Sequence, residues 1–167
     1  MDELLMRRRQ MLKGAEKSNI AYEAFNLSFG GTNYIDTGLY LFSAENINKD
    51  FELVATDVNC RDNSTATVIC HKLDGPAYGF LVRTNGSTQH EYKGTIQCLA
   101  NYDVMIIVRR ISGVLSVEGD GITNLPVPFN PNTVFNQPLV LGCALQSNGV
   151  PYRYTKGTIG HIIVRWL

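Results

Sequence analysis

The acidic side chains are the first candidates for chemistry in this sequence. A glycoside hydrolase needs two carboxyl groups close together, and a strand supplies them when acidic residues alternate along one face, as in Glu-x-Asp-x-Glu. The sequence contains no such run. Glu52 and Asp57 are an odd number of residues apart, so we expect them on opposite faces of one strand, and Asp103 and Glu118 stand alone. The acidic residues therefore do not predict a glycosidase.

The histidines and cysteines offer no nucleophilic or metal site either. His71 directly follows Cys70, so on a strand the two side chains point to opposite faces and cannot form a dyad. His90 and His161 have no motif around them, and the Gly-x-Ser-x-Gly and Gly-x-Gly-x-x-Gly spacings are missing. No pair of cysteines has Cys-x-x-Cys spacing, and no loop gathers the carboxylates that a hard cation needs. We expect a protein that is not an enzyme, with no cofactor and no metal.

Aromatic and amide side chains in loops are the candidates for recognition of carbohydrate. Ligand sites combine apolar and aromatic walls with a few polar groups, and the loop 146–155 is rich in both. The candidate glycan-binding residues are Tyr78, Tyr102, Asn148, Tyr152, Arg153 and Tyr154. The alternative is that these residues cover the edge of the core or an oligomer interface, because Tyr and Arg are enriched at protein interfaces.

The first thirteen residues differ in character from the rest of the chain. They contain good helix formers and no Gly, Pro or Asn, with Asp2 as an N-cap and Gly14 as a C-terminal stop. One face of this predicted helix is apolar and is flanked by three arginines, so the candidate docking residues are Leu4, Leu5, Arg7, Arg8, Arg9, Met11 and Leu12. Such a helix is marginal alone and needs a partner surface. That surface is a groove on another protein, the helix's own domain or a second protomer.

A period of two replaces the helical pattern from Tyr22 onward. Phe25, Leu27 and Phe29 alternate with polar residues, and about ten short apolar runs come after them, separated by turns rich in Gly, Asn and Asp. We therefore predict an all-β, two-sheet antiparallel sandwich at 22–167, joined by a linker at 14–21 to the helix at 1–13. The Asn85-Gly86 pair predicts a hairpin.

Composition and charge exclude several classes of protein. The 167 residues are 44% hydrophobic and 18% charged, which indicates a folded domain. Fifteen basic residues balance fifteen acidic ones, which argues against binding to nucleic acid by phosphate neutralisation. The balance is uneven: residues 1–13 carry a net charge of +2 and the remainder −2. No apolar run is long enough for a membrane helix, and the first residues lack the order of a secretory signal.

Three stretches resemble one family of β-proteins. Phe29-Gly-Gly-Thr-Asn-Tyr-Ile-Asp-Thr-Gly38 resembles the opening of LamG-like, concanavalin A-like domains, and Leu41–Glu52 resembles the next segment of those domains in versions found on tailed bacteriophages and prophages. Pro138–Pro151 and Lys156–Arg165 are similar to the family's last segments, so the resemblance covers about residues 25–167. The stretch Glu3–Leu12 is similar to N-terminal segments of phage structural proteins.

This resemblance implies both a fold and a function. The fold is a jelly roll in which the last strand, Ile159–Trp166, pairs with the strand at Phe25–Phe29. The function is that of a non-enzymatic virion protein, made in the host bacterial cytoplasm, as a head fibre, capsid decoration or tail component. Its helix would attach it to other virion proteins, and its domain would form a homo-oligomer and contact host or mucosal glycans, with no role for nucleic acid or membrane. The alternatives are a soluble lectin without a virion role and a glycan-active hydrolase.

Overall fold

The chain folds into β-strands joined by turns and irregular segments. The computed structural model describes residues 19–60, 67–73, 78–83, 90–92, 95–99, 104–119, 127–128, 134, 136–146 and 148–167. Within these residues the strands are β1 (Ile20–Gly30), β2 (Ile35–Asp36), β3 (Phe51–Cys60), β4 (Thr67–Leu73), β5 (Tyr78–Arg83), β6 (His90–Tyr92), β7 (Thr95–Leu99), β8 (Val104–Ile111), β9 (Val114–Gly119), β10 (Val127–Pro128), β11 (Val140–Leu141), β12 (Ala144–Leu145), β13 (Pro151–Tyr152) and β14 (Lys156–Trp166). The helix predicted at 1–13 lies outside the described residues.

The described strands form two large sheets and one small one. The first sheet has the order β1-β14-β3-β8-β9-β10, the second has the order β2-β11-β4-β5-β7-β6, and β12 pairs with β13. All neighbouring strands are antiparallel except β5 and β7, which are parallel. The prediction of an all-β protein with antiparallel sheets is confirmed, and so is the pairing of the first strand with the last.

Two details of the sequence-based prediction are wrong. β1 begins at Ile20, so the last two residues of the predicted linker belong to the strand. The strands on either side of Asn85-Gly86 do not form a hairpin with each other, because β7 lies between β5 and β6 in the sheet. A turn signal acts locally, whereas the choice of neighbouring strand depends on side-chain packing across the whole sheet.

The two large sheets share one hydrophobic core. Phe29 and Leu53 of the first sheet belong to the same buried cluster as Ile69 and Val82 of the second. Two sheets that pack their inner faces on one core have the arrangement of a β-sandwich. The segment between β2 and β3 adds Phe42, whose ring meets that of Phe51 edge-on with 6.0 Å between centroids.

A row of three residues interrupts the pleat of the first sheet. The three residues are neighbours across the sheet: Asn26 of β1, Gly160 of β14 and Asp57 of β3. On one side of them is the row of paired residues that contains Leu27, and on the other side is the row that contains Phe25. Asn26 and Asp57 adopt left-handed backbone angles, with φ of 52° and 53°. Each strand therefore has two successive residues on the outer face at this row, while the three strands stay paired one to one. Relative to its other neighbour, β8, the strand β3 carries one extra residue here, as a β-bulge does. We call this row the crease.

The crease changes where the acidic residues of β3 point. Both Ala55 and Val58 are in the core, so Thr56 and Asp57 lie together on the outer face. Glu52 is on the outer face as well, since it alternates with the core residue Leu53. The expectation that Glu52 and Asp57 occupy opposite faces is therefore wrong, because the extra residue of the bulge shifts the alternation by one.

An ion-pair network crosses four strands on this outer face. The Glu52 carboxylate accepts hydrogen bonds from Arg109 Nε at 2.6 Å and from Arg165 Nε at 2.8 Å, and Arg109 also pairs with Glu118. Burial by itself would raise the pKa of the Glu52 carboxyl, but the hydrogen bonds and charges of Arg165 and Arg109 outweigh it and hold that pKa below its usual value. The network thus links β14, β3, β8 and β9.

A second apolar cluster lies on the same outer face. Its members are buried although they face away from the core that the two sheets share; they are Val54, Met105, Ile107 and Ile163. Ile20, at the start of β1, packs against this cluster. β1 therefore begins at this cluster.

Gly142 between β11 and β12 provides a test of the packing at the core. Its φ is +88°, and a Cβ added there would overlap the ring of Phe29. We expect Gly142→Ala to lower the free energy of unfolding by about 2 kcal/mol or more, because backbone strain and the clash add. Gly113→Ala is the matched control, since Gly113 has a φ of +78° but nothing within 4 Å of the added Cβ. Urea denaturation would contradict the packing if the two variants lost equal stability.

Candidate functional site

The loops at one end of the β1–β14 pair form the candidate site. Ile20 pairs with Arg165 at one end of these two strands, and Gly30 pairs with Lys156 at the other. The segments that follow Gly30 and precede Lys156 meet there, where the rings of Tyr34 and Tyr154 are 6.3 Å apart. Eleven residues of extended strand span about 35 Å, so this end lies far from Ile20 and Arg165.

A cleft of about 290 Å³ opens among these loops. The described residues that line it are Tyr34, Asp36, Asn136, Gln137, Pro138, Leu145, Asn148 and Gly149. Tyr34 is exposed and contributes an aromatic wall, while Asp36, Asn136 and Asn148 contribute exposed polar groups. Carbohydrate sites use this combination of an aromatic or apolar wall and a few convergent polar groups. We call it the Tyr34 cleft.

The turn after β1 holds one side of the cleft. Asn33 Oδ1 accepts a hydrogen bond from the Gly30 amide at 2.6 Å, and its Nδ2 donates to the Ser28 carbonyl at 3.2 Å. Asp36 Oδ1 then accepts from the Gly38 amide at 2.8 Å. These short-range bonds are typical of Asn and Asp in turns, and they fix the backbone that carries Tyr34 and Asp36.

The turn at Gln146–Val150 holds the other side. The Gln146 amide donates to the Val150 carbonyl at 2.9 Å, and Asn148 Oδ1 accepts from the Val150 amide at 3.0 Å. Gly149 supplies the positive φ of 80° that this turn requires. Both bonds close the turn on itself and leave Asn148 exposed beside the cleft.

Gln137 connects this turn to the base of the cleft. Its Nε2 donates to the Gln146 carbonyl at 2.7 Å, and the side chain is 8% exposed. Its Oε1 has no hydrogen-bond partner among the described residues. A buried acceptor that lacks a donor costs about 1–3 kcal/mol.

Of the predicted glycan-binding residues in this loop, Asn148 lines the cleft, and Tyr152, Arg153 and Tyr154 are not among its lining residues. Tyr152 and Tyr154 are half-buried and pack against the small apolar cluster around Cys143 and Leu145. Arg153 is exposed, and its guanidinium lies 5.1 Å from the centroid of the Tyr152 ring. The two tyrosines therefore support the back of the loop, as the core-edge alternative expects.

The remaining predicted residues are partly or wholly outside the described structure. Tyr78 is the first residue of β5. Tyr102 and the docking residues of 1–13 lie outside the described residues. Reasoning from the sequence missed Tyr34, Asp36 and Gln137. Tyr34 and Asp36 are in the stretch that carries the family resemblance, and Asn33 was the local signal that could have predicted a turn directly before them.

A second cleft, also of about 290 Å³, runs along the crease on the outer face. Its described lining residues are Asn26, Leu27, Asp57, Asn59, Thr158, Ile159 and Gly160. Within the described ranges, no three His, Cys, Asp or Glu side chains come together to hold a metal ion. In the same part of the chain no helix is long and apolar enough to cross a membrane.

Comparison with known proteins gives likeness of fold alone. No family model matches the chain, and no curated protein matches it significantly. Among solved structures, a point mutant of the NanB sialidase from Streptococcus pneumoniae has a TM-score of 0.54 at 13% identity over 87% of this chain. The leech intramolecular trans-sialidase complexed with 2,7-anhydro-Neu5Ac has a TM-score of 0.51 at 12% identity over 88% of this chain.

This chain spans 26% of the length of each of those two proteins. Identities this low relate the chain to them by its β-fold and carry no residue roles across.

Proposed function

We propose that this chain is a non-enzymatic glycan-binding module that is displayed on a bacteriophage particle. The observation that carries the glycan-binding part is the Tyr34 cleft, which is lined by an exposed aromatic ring together with the polar side chains of Asp36 and Asn148. The fold likeness to sialidases, whose names describe action on sialic acid, is in keeping with a carbohydrate-related domain. The proposed ligands are host or mucosal glycans.

Display on a virion is proposed from the phage resemblance of residues 25–167 and of the N-terminal stretch. In this proposal residues 1–13 form a helix that binds other virion proteins, in the capsid or the tail, and the domain works as a homo-oligomer. The arrangement of β1 and β14 supports it, because an anchor that precedes Ile20 would leave the Tyr34 cleft about 35 Å away, at the opposite end of the strands.

The finer assignment of the fold is part of this proposal. The two sheets and the adjacent first and last strands fit a concanavalin A-like jelly roll. The proposal predicts that an experimental structure of the assembled protein will contain this topology with a helix at 1–13.

Loss of glycan binding on removal of the aromatic wall is the main test of the binding function. We expect Tyr34→Ala to weaken binding to any glycan that the wild type captures on a printed array by about tenfold or more, because an aromatic contact and its buried area are lost. Binding is measured as a dissociation constant by calorimetry on the best array ligand.

Tyr40→Ala is the matched control for this variant. Tyr40 is 38% exposed against 39% for Tyr34, but it does not line the cleft. We expect Tyr40→Ala to bind like the wild type. Equal losses in the two variants, or no array binding by the wild type, would defeat the glycan-binding proposal.

Particle incorporation tests the virion role. We expect deletion of residues 2–13 to leave a folded, soluble domain, with a cooperative urea transition, that is no longer recovered with purified particles. Incorporation of the truncated protein would reject attachment through this segment.

A soluble lectin without a virion role is the second candidate. It would bind glycans on the array and be missing from particles even at full length. A hydrolase would release reducing sugar from a polysaccharide panel, and we expect no release.

A further inference from the structure

The charge of the Tyr34 cleft bears on the chemical class of its ligand. Asp36 is the charged group among the described lining residues, and none of those residues is basic. The sequence at 121–138, which contributes Asn136, Gln137 and Pro138, contains no charged residue at all. The cleft therefore presents a negative charge without a compensating cation from these residues.

The two cations nearest to these loops in the sequence, Arg153 and Lys156, are not among the lining residues. The guanidinium of Arg153 lies over the ring of Tyr152, and the side-chain carbons of Lys156 lie against Gly31. Proteins that recognise a carboxylate commonly use the paired donors of an arginine, and this cleft does not supply them among its described residues.

The charged group of the cleft favours ligands that donate hydrogen bonds. The Asp36 carboxylate has only acceptor oxygens, whereas the exposed amides of Asn136 and Asn148 can both donate and accept. Sugar hydroxyl groups can donate to Asp36 and also pair with the two amides. A sugar carboxylate offers acceptors only, and it would place a second negative charge beside Asp36.

We infer that the Tyr34 cleft selects uncharged glycans, bound through their hydroxyl groups, over glycans that carry a carboxylate such as sialic acid. This inference rests on the proposed glycan-binding function. It predicts that this cleft does not bind sialic acid, although solved structures with a similar fold include those of sialidases.

The test uses an array of matched pairs, in which each neutral oligosaccharide stands beside the same oligosaccharide with sialic or uronic acid added. We expect the wild type to bind the neutral member of a pair about fivefold or more tightly than the acidic member. This ratio corresponds to the Coulomb repulsion, about 1 kcal/mol, between two unit charges roughly 4 Å apart in water. In Asp36→Asn we expect this ratio to fall towards one. Asparagine keeps the Oδ1 that accepts from the Gly38 amide, so the turn should remain folded.

Glu45→Gln is the charge-matched control, because Glu45 is exposed and does not line the cleft. We expect it to keep the wild-type ratio, measured by calorimetry on the best pair. Preference for the acidic members would overturn the inference and leave the glycan-binding function standing. A neutral preference that Asp36→Asn leaves unchanged would also overturn it, and binding to no pair would remove both.

Discussion

Replacing Phe51 by alanine should lower the free energy of unfolding by about 4 kcal/mol. Phe51 is fully buried in the core that the two large sheets share, and its ring packs edge-on against Phe42. Truncation removes the transfer free energy of the ring and leaves a cavity that neighbouring strands cannot close without breaking their register. The loss is a large fraction of the roughly 5–15 kcal/mol typical of a folded domain, so the variant should be close to unfolding at 37 °C.

Phe25→Ala is the control for this measurement, because Phe25 lies on the opposite face of the first sheet with its side chain 60% exposed. Its ring stacks on His161 with 4.4 Å between centroids, so we expect a loss of no more than about 1 kcal/mol. Both variants are compared by urea denaturation monitored by fluorescence. Similar losses for Phe51→Ala and Phe25→Ala would mean that the core does not lie between the sheets.

The second large effect is expected at Glu52. Its carboxylate is buried and is shared by Arg109 and Arg165, so Glu52→Gln removes the negative charge between these two guanidinium groups, although Arg109 keeps its ion pair with Glu118. Breaking one partner of a buried ion pair costs about 3–5 kcal/mol, and the partial exposure of the arginines places this variant near about 3 kcal/mol. Glu45→Gln, which removes the same charge from an exposed site, should change stability by less than about 0.5 kcal/mol.

The same network should make stability depend on pH in a specific direction. The pKa of Glu52 in the folded protein is lowered from 4.5. A carboxyl group whose pKa is lower in the folded than in the unfolded protein stabilises the fold. This stabilisation is fully present above the group's pKa in the unfolded chain, and it is lost as the pH falls through the group's pKa in the folded protein. The stability difference between wild type and Glu52→Gln should therefore be constant from pH 7 to about pH 5.5 and shrink below about pH 4.5. A difference that stays the same at pH 3.5 would contradict the lowered pKa.

Hydrophobic periodicity predicted most of this fold because its strands have one face in a core. The alternation of Leu27 and Phe29, and the apolar run that became β8, placed strands within a few residues of their observed bounds. The crease escaped prediction, since a single extra residue in β3 changes neither composition nor local propensity. In the sheet, β3 advances by three residues from Ala55 to Val58 while β8 advances by two from Ile106 to Val104.

The candidate site could be predicted from the sequence only where a loop carries a recognisable turn motif. Asn148 stands in a turn rich in Asn and Gly, and its exposure could be expected from that context. Gln137 carries no such signal, because its position at the base of the cleft depends on a hydrogen bond to the backbone of Gln146. The packing of Tyr152 and Tyr154 on the cluster around Cys143 is a tertiary contact that residue type and spacing do not reveal.

The crease also sets a rule for how this sequence can vary. A Cβ at position 160 would lie 2.7 Å from Cβ of Asp57, which is too close. Positions 160 and 57 therefore cannot both carry a Cβ, and one of the two must be glycine. Glycine at position 57 would remove that conflict and would adopt the φ of 53° without strain. In the divergence of related sequences, positions 57 and 160 should therefore change as a pair, with glycine retained in at least one of the two strands.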